Sequence, residues 1–296
     1  MKVLGVIGAT GQQGGSVVDF VLNDAKLSAE YSIRAITRDP AKATQLQGKV
    51  EVVAGDSTDE NGFVTALKGV DVLFAMTPMG PPGFEAETGI KIANAAVAAG
   101  VEYIIYSTLP DAEKTSSGKY HVAHFDEKAK VEKHIRNLKI KSSFILPGFF
   151  MQNFEGILAP VPKDDGTLAL TNVTGGEVKV PLFNVVRDTG NIVAYILSHL
   201  DQCEGQVVFG GHGFYSYNEI AEIMSKCTGK VVNYEKVGDK EFLPFLPEPV
   251  QHEIVEMMKF FEEFGFGPDA VKRAEEGHKM VMKPLGSFEE YLKSRN

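Results

Sequence analysis

A chain of 296 residues, 44% of them apolar, can bury a substantial core, which excludes disorder and leaves one large domain or two closely packed ones. Its formal charge of −9 excludes a surface built to neutralise many backbone phosphates, so direct nucleic-acid binding is not expected. Two cysteines, Cys203 and Cys227, without metal-ligand spacing or a histidine cluster, point to a reducing compartment and no bound metal.

The apolar strand pattern starts at Lys2, so no leader peptide is expected, and no apolar run approaches the ~20 residues of a membrane span; the expected location is cytoplasmic. Strands are predicted at 2–7, 32–37, 50–54, 70–76, 103–107 and 142–146, and helices at 14–22, 61–67, 85–99 and 121–137. The alternation of the two is the pattern of βαβ units in a doubly wound parallel sheet. The alanine-rich run 93–99 reads as close helix packing, ended by Gly100. Beyond residue 150 the alternation becomes irregular. A strand is predicted at 177–186, a helix at 188–200 with Asp188 as N-cap, and a strand at 206–209 returning to the first sheet. Ser216 caps a helix running to Lys226, the segment 248–265 is amphipathic, and Ser287 to Glu290 form a capping box. There is no internal repeat.

The stretch Gly8-Ala-Thr10-Gly11-Gln12-Gln13-Gly14 follows the first strand and opens the first helix. In that setting the first glycine permits the tight turn, the second lets backbone approach a pyrophosphate, and the third lets helix pack on strand, with free N–H groups facing the anion. The second strand ends in Thr37-Arg38-Asp39-Pro40, with Lys42 on the next turn. An arginine here favours a 2′-phosphate, and Asp39, one residue late and before proline, is placed to cap the next turn, so NADP(H) is expected over NAD(H). The predicted organisation is a Rossmann-type NADP(H)-binding domain at 1–150, completed by about 178–212, and a smaller α+β substrate or partner lobe from 151–177 and 213–296.

Several pieces, in order through the first half, resemble the NmrA-like family of atypical short-chain dehydrogenases/reductases: Gly8 to Ser16, Thr37 to Pro40, Val53 to Asp56, Tyr106-Ser107, His124-Phe-Asp-Glu-Lys128 with Val131-Glu132, and Pro147 to Phe150 with Asn153. His-Phe-Asp-x-Lys in particular resembles the redox sensor of that family. The resemblance implies an extended Rossmann fold with a C-terminal part closing over the nicotinamide. It also implies roles: Arg38 and Lys42 at the 2′-phosphate, Asp56 and Ser57 facing adenine, Met76, Thr77 and Pro78 beside the cofactor, Lys128 at the nicotinamide ribose, and Pro147, Gly148, Phe149 and Phe150 bordering the amide.

Reductases of the wider superfamily place a tyrosine four residues before the lysine, so that the ammonium lowers the phenol's pKa and readies it to protonate a carbonyl. Here Lys128 is present and Ser107 or Thr108 is the available hydroxyl, but position 124 is histidine. Tyr120 lies eight residues before Lys128, about 12 Å away along a helix, too far to substitute. Two readings follow. In one, an NADPH-dependent reductase passes hydride to an apolar carbonyl, enone, quinone or imine, with Lys128, His124 or water supplying the proton. In the other, a non-catalytic NADPH/NADP+ sensor acts through a regulatory protein partner. Met79, Phe84, Phe149, Phe150, Met151 and Phe154, with Asn153, are candidates to line an apolar acceptor pocket together with His124, or else fill the core. The stretch 78–83 is a candidate lid, and 248–265 either packs on the lobe or forms a homodimer contact. A sugar-nucleotide epimerase of the same extended class is disfavoured by the absent tyrosine and by Arg38. The reductase reading is preferred.

Overall fold

Strand β1 (Lys2–Ile7) sends Leu4 and Val6 to one face of a sheet and Val3 and Ile7 to the other, so a two-residue period at the start of the chain already commits it to burial on both sides. In the computed structural model, which describes residues 1–57 and 59–295, the pattern continues. The elements in order are α1 (Gln12–Asn23), α2 (Ala25–Glu30), β2 (Tyr31–Thr37), β3 (Glu51–Ala54), α3 (Glu60–Leu67), β4 (Val72–Ala75), α4 (Phe84–Ala99), β5 (Tyr103–Ser107), α5 (Ala112–Thr115), α6 (Ala123–Arg136) and β6 (Lys141–Pro147). The second half adds β7 (Phe149–Phe150), β8 (Val161–Pro162), β9 (Leu168–Asn172), β10 (Lys179–Phe183), α7 (Val185–Ser198), α8 (Leu200–Cys203), β11 (Val207–Gly210), β12 (Gly213–Ser216), α9 (Tyr217–Thr228), β13 (Val232–Lys236), α10 (Asp239–Phe242), α11 (Gln251–Phe264), α12 (Ala270–Gly277) and α13 (Phe288–Lys293).

The main sheet has seven strands in the order β11-β6-β5-β4-β1-β2-β3, all neighbours parallel. Its chain path reverses between β1 and β4, which makes the crevice there the natural ligand position of a doubly wound sheet. Val17, Val18 and Val21 of α1 meet Ile192, Val193 and Ile196 of α7 on one face; Phe63, Ile92, Ala96 and Val131 of α3, α4 and α6 cover the other. Close contacts explain the small residues. A Cβ on Gly190 would stand 2.1 Å from the Ser16 carbonyl oxygen, and one on Gly89 would stand 2.5 Å from Val131 Cγ2.

Two further three-stranded sheets, β12-β10-β7 and β13-β9-β8, carry α9 to α13 over a third core of Phe149, Phe154, Tyr217, Met258, Phe260, Phe261 and Phe288. Gly100 ends α4 in the left-handed conformation, Ser216 caps α9 as expected, and Ser287 forms the expected capping box with Glu290. The strand at Lys179–Phe183 pairs with β12 and β7 rather than with the main sheet, which β11 does join. No helix among the described residues is long and apolar enough to cross a membrane.

The expected N-cap at Asp188 is corrected: α7 starts a turn earlier, and Asn184 accepts from the Arg187 N–H. Asp188 is instead 1% exposed inside the helix and accepts from the Gly286 N–H at 3.0 Å. Burial pushes its carboxyl up to about 6, against the pull of that bond and of Arg187. Between about pH 4 and pH 6 the folded state thus holds a proton that the unfolded chain has released. Stability falls as pH rises through that window, by about 3 kcal/mol in all. Asp188→Asn, which keeps an acceptor for Gly286, is expected to flatten that slope and raise the urea midpoint at pH 7. An unchanged slope would assign the titration to another group.

Candidate functional site

The loop after β1 turns at Gly8 with φ of +70°, and the Gly11 N–H closes it onto the Gly8 carbonyl at 2.8 Å. At Gly14 a Cβ would lie 2.3 Å from the Gly8 oxygen, so only glycine lets α1 seat against the turn. Gly11 is the N-cap of α1, with no side-chain cap and no acidic residue in the first turn, which leaves the helix's N–H groups and positive end for an anion. Thr10 and Gln12 are exposed on the loop, while Gln13 is buried with its Oε1 unpartnered. A pocket of about 310 Å3 runs from Thr10, Gly11 and Gln12 to Gln45 and Lys49. A larger hollow of about 890 Å3 lies at the opposite rim, around Asp71, Glu102 and Lys141, away from every strand C-terminus.

The neighbouring strand ends bring the other candidates to the same rim. Thr37 is paired with Ala54, and the Gly55 N–H donates to the Thr37 carbonyl at 2.9 Å, which puts Arg38 beside the half-buried Asp56 and Ser57. Arg38 is exposed and has no ion-pair partner among the described residues. Lys42 reaches only Asp39, at 3.6 Å, and Asp39 caps the turn 40–42 through the Ala41 N–H. From β4, Met76 touches the turn: a Cβ on Gly8 would lie 3.1 Å from its Sδ.

Below Met76 lies a buried polar network that the sequence did not announce. Lys128 Nζ donates to the Thr77 carbonyl at 2.8 Å and to Thr77 Oγ1 at 3.0 Å, and ion-pairs with Glu85 Oε1. Thr77 Oγ1 in turn donates to Glu85 Oε1 at 2.7 Å and meets the Tyr106 phenol at 3.0 Å. Burial pushes Lys128 below the usual lysine range, against the pull of Glu85 and Glu127, and pushes the Tyr106 phenol up. The adjacent Glu127 spans the Gly83 N–H at 2.6 Å and the Ala86 N–H at 2.9 Å, capping α4 from another helix. Consecutive residues of α6 therefore hold the loop 78–82 at its two ends. Pro78 and Met79 are exposed on it, and Phe84 is exposed beside it, folded over Gly80. One signal of Glu85 was readable: an acid on the helix face that carries Ile92 and Ala96 to the core.

His124 does not face Lys128's partners. Both its backbone N–H, at 2.6 Å, and its ring Nδ1 engage Glu253 Oε1 of α11. Burial pushes the Glu253 carboxyl up, but the bonds from His124 outweigh it and hold the group below its ordinary range. Tyr120, outside the helix, donates to Glu263 at 3.0 Å and lies edge-on to Phe260 and Phe264. Ser107 ends β5 with its Oγ buried and unpartnered. Pro147 pairs with Gly210, and Gly148 donates to the Gly210 carbonyl at 2.5 Å. Phe150 is half-buried against the cluster that holds Ala9, as is Met76. Asn153 is also half-buried, but Phe149, Met151 and Phe154 are at most 5% exposed and fill the lobe's core.

A seven-stranded parallel sheet with a glycine turn and an uncapped helix start at its switch point defines a Rossmann-like fold. A model of the NmrA-like family matches residues 1–292, and the chain belongs to that family. An NmrA-like family domain-containing protein of Dictyostelium discoideum is 30% identical over 306 residues, spanning 100% of this chain and 98% of that one. Quinone oxidoreductase 2 of Escherichia coli (strain K12) is 26% identical over 81% of this chain and 79% of that one. Among solved structures, NmrA, a negative transcriptional regulator, superposes with a TM-score of 0.82 at 21% identity, covering 99% of this chain and 94% of that one. An NADPH-dependent quinone oxidoreductase of Escherichia coli complexed with NADPH gives 0.81 at 24% identity and 99% coverage of both. At these identities the structural likeness speaks for the fold.

Proposed function

We propose that this protein is an NADPH-dependent reductase whose acceptor is a planar apolar compound, a quinone above all. The residues fit a dinucleotide phosphate. The cradle that a Cβ on Gly14 would fill and the uncapped start of α1 suit the pyrophosphate, and the unpaired Arg38 with the exposed Lys42 suits a 2′-phosphate. Asp39, the acid that follows the end of β2 in the chain, caps its own turn. When bound, the reduced nicotinamide supplies a hydride.

The observation that carries the choice of acceptor is the engagement of His124 with Glu253. The position where a phenol would protonate a carbonyl is occupied by a ring whose Nδ1 is committed to the C-terminal lobe. An acceptor that needs no strong acid is favoured. A quinone that accepted that hydride would become a hydroquinone anion, stable enough to collect its proton from water. Met79, Phe84 and Phe150 offer the accessible apolar surface for such a ring. The Lys128 ammonium supports the ribose and favours the developing anion.

The test is anaerobic mixing of the NADPH complex with quinones, enones and imines, following NADPH absorbance. Turnover of quinones, lost in Lys128→Ala even at NADPH concentrations that saturate the variant, supports the reading. No turnover with any acceptor, together with a large difference between NADPH and NADP+ affinities, supports a redox sensor instead, for which the His124–Glu253 link between the two halves is the favourable observation. Arg38→Ala is expected to weaken NADPH binding by about 10- to 100-fold, the worth of a hydrogen bond to a charged group, and to leave NADH binding unchanged in calorimetric titration. Equal losses for both would remove Arg38 from the 2′-phosphate.

A further inference from the structure

We propose that Glu85 is a positioning residue for the cofactor site: it is the counter-ion that keeps the Lys128 ammonium in place and charged while that ammonium exchanges a protein partner for the ribose. The inference rests on the cofactor-binding part of the reading above and not on turnover.

A carboxylate 2% exposed on the core face of a helix is costly unless its partners hold it. Glu85 Oε1 collects Lys128 Nζ and the Thr77 hydroxyl, and Glu85 Oε2 has no hydrogen-bond partner among the described residues. An ammonium has three N–H donors. In Lys128 they go to the Thr77 carbonyl, Thr77 Oγ1 and Glu85 Oε1, so none is left for a ligand. One bond must be released when a ribose hydroxyl is held. The Thr77 hydroxyl is the partner best able to lose it, because it donates to Glu85 and keeps the Tyr106 phenol as a donor. The unused Oε2 lets the carboxylate stay with the ammonium through either oxygen. Among the described residues, the charged groups acting on Lys128 are Glu85 from α4 and Glu127 from its own helix; β5 adds the Tyr106 phenol, itself acted on by Glu132.

The experiment is calorimetric titration with NADP+ from about pH 6 to pH 10, a range chosen to end near the free lysine pKa. The wild type is expected to bind with nearly constant affinity. Glu85→Gln keeps shape and hydrogen bonds but not charge; it is expected to bind within about threefold of wild type at the acid end and about tenfold or more weaker at the alkaline end. Glu85→Asp, with charge restored, is expected to recover the flat profile, and Lys128→Met to be weak and pH-independent. A loss in Glu85→Gln that is the same at every pH, or no loss, overturns the proposal. If Glu85→Gln does not fold, Glu85→Asp decides: a flat profile supports it, and a selective alkaline loss overturns it. Absence of NADP+ binding by the wild type overturns the proposal and the cofactor reading together. The expected pH profiles with no acceptor reduced would sink only the reductase reading.

Discussion

Gly14→Ala is expected to lower NADP(H) affinity by about 5- to 150-fold, the equivalent of the 1–3 kcal/mol that overpacking costs. The added carbon would stand 2.3 Å from the Gly8 oxygen, 2.5 Å from the Gly8 carbonyl carbon and 2.8 Å from the Ala9 nitrogen. All three are backbone atoms, so no rotamer relieves the clash, and either α1 backs away or the turn opens. Both movements pull the helix N–H groups from the position an anion needs. Gly15→Ala is the control, because its Cβ would sit at an ordinary 3.5 Å from the Ala9 oxygen. Calorimetric titration of the three proteins checks the result. Equal affinities for all three would mean that close seating of α1 does not matter to the ligand.

Phe125→Ala is expected to lose about 3–5 kcal/mol in urea unfolding, the usual cost of deleting a buried aromatic ring. Phe125 is 3% exposed and its ring centroid lies 5.8 Å from Phe261, 6.0 Å from Phe266 and 6.3 Å from Phe260. It joins α6 to α11 between His124, which grips Glu253, and Lys128, which grips Glu85. Phe125→Leu, which fills part of the space, should lose under half as much. A loss below about 1 kcal/mol for alanine would mean that the contact between α6 and α11 closes over the cavity.

The parallel sheet was legible because its strands are short apolar runs between breakers: β1 and β5 run over the residues those runs predict, and the glycine turn sits where a strand gives way to a helix. The cap that Ser287 makes with Glu290, three residues on, was legible because it too is local. Contacts across long sequence separations were not. Glu253 lies 129 residues from His124, and nothing local to either announces the pair. Composition also left open whether Met151 and Phe154 line a pocket or fill a core; their almost complete burial follows from the way β7 and the turn after it run under α11 and α13. Of the short strands of the two small sheets, β10 falls inside the predicted strand 177–186, whereas β7, β8, β9, β12 and β13, two to five residues each, carry too little pattern to be read.

Helix α7 and strand β11 come from the middle of the second half yet belong to the first half's sheet: α7 lies on α1, and β11 extends β6 along Phe144 to Pro147. Between them and β6 the chain travels out to build β7 to β10. The two halves are therefore braided rather than joined end to end. A genetic crossover near residue 150 would separate β6 from its partner and strip the valines of α1 of their cover. A lobe can therefore be exchanged in this fold only along routes that leave the return of α7 and β11 intact.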